Sequence, residues 1–302
     1  MEKSKTDNWQ SGLPSAEAFA LKEHYTLDEL LVIMAFLRSD KGCPWDRVHN
    51  HDSLRQNLLE EAYETIDAID SGSSERLCDE LGDVLMQIVF HAQMAYEAGA
   101  FDFNDVVTAI SRKLISRHTH IFGEDRAETP EAVLENWEKN KKREKGLKTQ
   151  SQVLTDVPRS LPALQRSYKV QQKAAQIGFD WDDAAGPRAK ITEELDEIEQ
   201  SVQASRFAVA HETMDGAAAN RLVAGEVGDL LFAVVNYARH LHIQPEMALD
   251  QSTEKFIRRF ASVEELALER GLVLDEMSLS SLDQLWDEIK CRERGCDQDA
   301  AR

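Results

Sequence analysis

A paired acidic pattern occurs twice in this chain, and it limits what the chain can fold into. The first copy is Glu60-Glu61-Ala62-Tyr63-Glu64 followed by Glu80-Leu81-Gly82-Asp83. The second is Glu193-Glu194-Leu195-Asp196-Glu197 followed by Glu226-Val227-Gly228-Asp229. Residues three apart share a face of an α-helix, so Glu61 with Glu64 and Glu80 with Asp83 point the same way, as do their counterparts. Each Glu-x-x-Asp runs on into apolar sequence, Val84-Leu-Met-Gln-Ile-Val-Phe90 and Leu230-Leu-Phe-Ala-Val-Val235. Carboxylates at the edge of a core are costly unless something positive joins them.

The rest of the 302-residue chain reads as helical, and its length suits two domains. Thr26 and Glu29 form a capping box opening a helix through Leu37, and Ser53 with Gln56 suggests a second box opening the helix that carries Glu60, Glu61 and Glu64. Further helices are expected near 74–99, 104–118 and 130–145, the last with Thr129 as cap and Pro130 at its first position. Asp156-Val-Pro158 and Ser160-Leu-Pro162 mark a linker over 149–162. Beyond it come helices near 163–176, an acidic helix opened by Pro187, and helices near 216–241, 246–270 and 281–292. The stretch from Gln200 to Ala219, Ala-rich and containing Gly216, suggests a loop beside the second motif. Strand signals are weak. The expected fold is therefore all-α, with two tandem helical modules, residues 1–148 and 163–302, each a bundle or half a bundle.

Net charge is −20, from 35 Lys and Arg against 55 Asp and Glu, which disfavours nucleic acid polymers and anionic membranes as partners. The one dense basic run, Lys139 to Lys148, contains Glu144 and reads as a solvated helix end. No apolar run is long enough to span a bilayer, and Met1-Glu-Lys-Ser-Lys-Thr-Asp7 lacks the apolar segment of a secretory signal. Cys43, Cys78, Cys291 and Cys296 are scattered with no metal-binding spacing, which suggests free thiols in a reducing cytoplasm.

Three readings compete for the carboxylates. A solvated acidic face suits isolated acidic pairs, but fits poorly with an apolar context and a repeated pattern. A di-iron bundle needs Glu-x-x-His, which the chain lacks. All-oxygen ligation of a hard cation, Mg²⁺ or Mn²⁺, suits the residue types, and magnesium commonly shares its shell with phosphate oxygens. Basic residues strengthen that third reading. Lys255, Arg258 and Arg259 can form one patch on a helix, Lys190 stands a turn before Glu194, and Trp286 is able to stack on a base. Lys113-Leu-Ile-Ser-Arg117 echoes Lys255-Phe-Ile-Arg-Arg259 in the first half. No phosphate-binding glycine loop, no activated Ser or Cys and no extended His/Asp set is present, so water is the natural nucleophile. A catalytically idle nucleotide-binding regulator and a purely structural dimerisation protein remain as rivals from other functional classes.

Taken together these stretches resemble the all-α nucleoside triphosphate pyrophosphohydrolases, in their two-module MazG-like form. Supporting segments are Cys43-Pro-Trp-Asp46, Phe101-Asp-Phe-Asn-Asp105, Arg117-His-Thr-His-Ile-Phe122, Pro158-Arg-Ser-Leu-Pro-Ala-Leu164 and Gly178-Phe-Asp-Trp181. The resemblance implies Mg²⁺-dependent hydrolysis of nucleoside triphosphates to monophosphate and pyrophosphate, broad base tolerance, a housekeeping role in the nucleotide pool, and homodimers that complete the bundles. It implies Glu194, Glu197, Glu226 and Asp229 as metal ligands, with Glu61, Glu64, Glu80 and Asp83 as their counterparts. Glu193 would orient or deprotonate the attacking water. Lys190, Lys255, Arg258, Arg259 and Trp286 would contact nucleotide, and Lys113 and Arg117 would do so in the first half. The second module is the one expected to be catalytic.

Overall fold

The structure is a computed structural model that describes residues 9–294, so the readings of Met1–Asp7 and of Cys296 fall outside the described residues. Two compact units divide between Lys141 and Lys142. Among the described residues there is no β-strand, and no helix is long and apolar enough to cross a membrane.

The first unit begins with two short 3₁₀ turns, Trp9–Gly12 and Ala16–Ala18. Then come α1 (Leu27–Arg38), α2 (Pro44–Val48), α3 (Arg55–Ser71), α4 (Ser74–Glu97), α5 (Phe103–Arg117) and α6 (Thr119–Phe122). The next helix, α7 (Pro130–Glu144), runs through the division. The Thr26–Glu29 capping box is present, and α5 has another from Asp102 and Asp105. Such boxes satisfy backbone N–H groups that the first helical turn leaves without partners. A tight turn joins α3 to α4. Gly72 adopts φ +67° there, a left-handed conformation that only glycine takes at no steric cost, and Ser73 caps α4. The two helices pack as a hairpin that carries the first acidic motif.

The core of this unit gathers Met34, Leu54, Val89, Phe90 and Met94. Beside it lies an ion pair that sequence reading missed. Arg38 donates from Nη2 to Glu97 Oε2 at 2.7 Å and from Nε to Oε1 at 2.8 Å. Its remaining nitrogen donates to the Asp46 carbonyl at 2.5 Å, and the guanidinium lies 5.1 Å from the Phe90 ring centre. One buried cation thus ties α1, α2 and α4 together.

The second unit contains α8 (Gln150–Thr155), α9 (Ala163–Ala175), α10 (Ala185–Ala210), α11 (Gly216–His240), α12 (Pro245–Glu269), a 3₁₀ turn (Leu274–Glu276) and α13 (Leu279–Glu293). Its central feature is the long α10–α11 hairpin that carries the second acidic motif, with α9 packed on α11. A smaller core of Val263, Leu266, Ala267, Leu285 and Ile289 joins α12 to α13.

The structure departs from the sequence reading at four places. The stretch expected as a linker contains α8, opened by a Thr149–Gln152 capping box. Val153 and Val157 are buried, and Gln150 donates to the Lys173 carbonyl at 2.6 Å, which docks this stretch on α9. Ser53 and Gln56 do not form a box: Ser53 Oγ accepts from the Asn50 N–H, Gln56 donates to Glu60, and α3 starts at Arg55 without a side-chain cap. Pro187 is the third residue of α10, still within the first turn where its missing N–H has no helical partner to lose. The expected loop from Gln200 to Ala219 is mostly helix, because α10 continues to Ala210 and α11 starts at Gly216. Alanine favours helix more than any other residue, which explains the extension.

Candidate metal and nucleotide site

Each hairpin brings three glutamates of its motif together. In the first unit, Glu61 and Glu64 of α3 meet Glu80 of α4, with one oxygen from each within 4.8 Å of the others. In the second, Glu194 and Glu197 of α10 meet Glu226 of α11 in the same way. Helical spacing puts the first two acids on one face, and hairpin packing brings the third across from them. Asp83 and Asp229 stand outside these triads. Asp229 is exposed one turn beyond Glu226, and its side chain is one methylene shorter than glutamate. Asp83 is near enough to Glu61 for its charge to act there.

The electrostatics of each cluster show how much negative charge has been confined. Burial and then the charges of Asp83 and Glu64 push the Glu61 carboxyl above the usual carboxylate range, against a hydrogen bond from the Gln87 side chain. Gln87 was not anticipated as a site residue. The signal was there, since it lies four residues beyond Asp83 and seven beyond Glu80 on the same stripe. In the second unit, burial and then the adjacent Glu194 carboxylate push Glu197 upward.

Glu194 is the most telling residue. It is only 4% exposed. One oxygen, Oε1, accepts from Lys190 Nζ at 2.7 Å, whereas Oε2 is buried with no donor. Its neighbours Glu197 and Glu226 are also carboxylates, so neither can donate to that oxygen while ionised, and a cation would satisfy it. A hard divalent ion fits an all-carboxylate donor set at such spacing. Lys190 also holds Glu193 at 2.9 Å, and donating to Glu194 and Glu193 raises its ammonium well above the ordinary lysine range. In the first unit the residue four positions before Glu61 is Asn57 rather than lysine. The two clusters thus share acids but not their counter-charge.

A groove along α10 is lined by Ala189, Thr192, Glu193, Asp196, Glu197 and Gln200, so Glu193 and Glu197 face open space. The anticipated basic patch sits on α12, against α13. Lys255 and Arg258 are exposed on α12. Arg259 pairs with Glu293 of α13 at 2.7 Å and lies 5.9 Å from the Trp286 ring centre. Trp286 packs against Phe256 and the small α12–α13 core. Among the described residues, no hydrogen bond or ion pair joins this patch to the acidic triad. On α5, Lys113 is exposed and Arg117 lies over Trp137, 5.2 Å from its ring centre. Neither is ion-paired to the first triad among the described residues.

The family model for the MazG nucleotide pyrophosphohydrolase domain matches twice, over residues 49–122 and 187–263, once on each acidic hairpin. The chain is 43% identical over 268 residues to the nucleoside triphosphate pyrophosphohydrolase of Escherichia coli K12, covering 88% of this chain and 98% of that protein. It is 42% identical over 263 residues to the nucleoside triphosphate pyrophosphohydrolase/pyrophosphatase MazG of Thermotoga maritima, covering 87% and 95%. The protein YabN of Bacillus subtilis is 42% identical over 262 residues, which make up 51% of its length. The duplicated acidic hairpins and these matches together place the chain in the MazG nucleotide pyrophosphohydrolase family, with two tandem modules.

Proposed function

We propose that this protein hydrolyses nucleoside triphosphates to the monophosphate and pyrophosphate, with Mg²⁺ as its cation and Mn²⁺ as a substitute. One observation carries the reading: the buried, donorless Oε2 of Glu194 among three converging carboxylates. Glu194, Glu197 and Glu226 would hold the cation, with Asp229, one turn beyond Glu226, as the fourth carboxylate. Such an ion, when bound, neutralises charge developing on phosphate oxygens.

This chain's own residues do the remaining work. Lys190, freed from the carboxylates once a cation satisfies them, is available to a phosphate oxygen of the substrate. Glu193 faces the open groove and accepts the proton of the attacking water. Exposed Lys255 and Arg258 offer phosphate contacts, as Lys113 does in the first unit. Positioning and electrostatics then account for most of the rate.

The same reading extends to broad base tolerance, a housekeeping role in the nucleotide pool and a cytoplasmic location, the last in keeping with free thiols at Cys43 and Cys78. It also includes a homodimer. Leu81, Leu85 and Ile88 form an exposed apolar stripe on α4, and Val227, Leu231 and Val234 repeat it on α11. Those stripes suit bundles completed by a second copy. A regulatory, catalytically idle role fits the first module better, because it has Asn57 where the second has Lys190.

Replacing Glu197 or Glu226 with glutamine tests the assignment. Either change should abolish Mg²⁺-dependent pyrophosphate release by the full chain, whereas Glu61→Gln should leave most of it. Unchanged release in the Glu197 and Glu226 variants overturns the assignment.

A further inference from the structure

The two acidic clusters share their acids but answer the confined charge in opposite ways. In the second unit the answer is a positive charge: Lys190 donates to Glu194 Oε1 at 2.7 Å and holds Glu193 at 2.9 Å. In the first unit it is a neutral amide. The Gln87 side chain hydrogen-bonds to Glu61. Its Oε1 is buried with no donor, so the amide nitrogen is the group that serves Glu61.

The register shows two exchanges at matched positions. Four residues before Glu61 stands Asn57, where the second unit has Lys190 four before Glu194. Seven residues after Glu80 stands Gln87, where the second unit has Ala233 seven after Glu226. Gln87 is 4% exposed and Ala233 6%, so both are core positions. Along α4, Glu80, Asp83 and Gln87 follow one stripe of oxygen-bearing side chains; along α11, Glu226 and Asp229 are followed by a methyl group.

A glutamine buried beside a carboxylate is a costly occupant of a core position. One end of its amide serves Glu61 and the other end has no partner. A half-turn about the last side-chain bond exchanges those two ends, a torsion with a broad, roughly two-fold profile. The nitrogen end suits the cluster without a cation. The oxygen end is a ligand for a hard divalent ion, a role that glutamine and asparagine carbonyls share with carboxylates. Lysine lacks this second use, since its ammonium has donors and no acceptor. A cation that enters the second cluster therefore meets a positive charge already in place, whereas one that enters the first meets a further oxygen.

We infer that Gln87 is a cation ligand, and that the first module holds a resident divalent ion without nucleotide and more tightly than the second module holds its own. This rests on the reading of both triads as cation sites. Glu61, Glu64 and Glu80 supply the charge and Gln87 the neutral oxygen, while exposed Glu64 leaves the cluster open to solvent on one side. The first ion stays in place at concentrations too low to load the second, where Lys190 opposes uptake.

The test is Mn²⁺ binding to the full-length protein without nucleotide, read from loss of the free-ion EPR signal. Wild type should show two sites about tenfold apart in Kd, the scale on which groups beside a metal change its affinity. The tight site should vanish in Glu61→Gln and the weak one in Glu197→Gln. Gln87→Met keeps the length of the side chain without the oxygen and should weaken the tight site about tenfold. Gln87→Glu restores an oxygen but not the donor, so it should restore tight binding. Asn57→Lys gives the first module the second module's countercharge and should also weaken the tight site, which keeps the comparison from hanging on one substitution. Equal Kd values in wild type, a tight site lost in Glu197→Gln instead, or Gln87→Glu as weak as Gln87→Met overturns the inference and leaves the cation reading of the triads standing. No Mn²⁺ bound by either triad overturns both.

Discussion

Glu226→Gln should make the metal-free protein more stable while removing its response to metal. Glu226 makes no hydrogen bond or ion pair among the described residues, so glutamine forfeits no contact. What it removes is repulsion. With Glu194 and Glu226 oxygens within 4.8 Å, one pair of like charges costs ~0.9 kcal/mol at the dielectric constant of water and ~3.5 kcal/mol at an effective value of 20. Glu194 is buried and Glu226 half-buried, so about 1–2 kcal/mol is the working figure. For a unit of this size that corresponds to a rise in Tm of roughly 2–8 °C. The assay is thermal unfolding at pH 8, in EDTA and in millimolar Mg²⁺ or Mn²⁺. Wild type should gain stability from the metal, and the second-unit transition of the variant should start higher and gain little. A variant less stable than wild type in EDTA, or one with the full metal-induced shift, refutes the view of these acids as a strained site awaiting a cation.

Three further outcomes follow from the same structure. The carboxyls of Glu61 and Glu197 both lie above the ordinary range, so their protonated forms favour the folded state. Their contribution to metal-free stability is present at low pH and lost as pH rises through their raised values; Tm against pH in EDTA should show that fall, and saturating Mg²⁺ should remove it. Glu97→Ala strands the buried Arg38 guanidinium and should destabilise the first unit by roughly 3 kcal/mol in urea unfolding. Gly186→Ala drives a methyl group into Trp181 and should cost about 1–3 kcal/mol in the second unit, read by the same method.

Much of the fold was legible because it is written in short-range patterns. The Thr26 box, the 3.6-residue periodicity and the glycines after α3 and α12 act within a turn or two of themselves. The acidic triads were legible for a related reason, as helical spacing fixes which acids share a face and a hairpin has few ways to bring a third across. Contacts that depend on packing were not legible. Ser53 looked like a cap, but its hydroxyl serves the Asn50 turn instead. Val153 and Val157 turned an apparent linker into a docked helix because α9 offered them a surface. Asp229 matches the spacing of a ligand and stands one turn beyond Glu226, outside the triad of converging glutamates. The patch of Lys255, Arg258, Arg259 and Trp286 forms as a unit, but its relation to the acids is a matter of tertiary placement on which spacing along α12 is silent. The Arg38–Glu97 ion pair needed coordinates, since the paired residues come from different helices.

The most direct measurement is ³¹P NMR of the products formed from a nucleoside triphosphate by the full chain with Mg²⁺. The account predicts nucleoside monophosphate and pyrophosphate in equal amounts, and no turnover in EDTA or in Glu197→Gln. Nucleoside diphosphate with inorganic phosphate, or turnover that persists without a divalent ion, would contradict it.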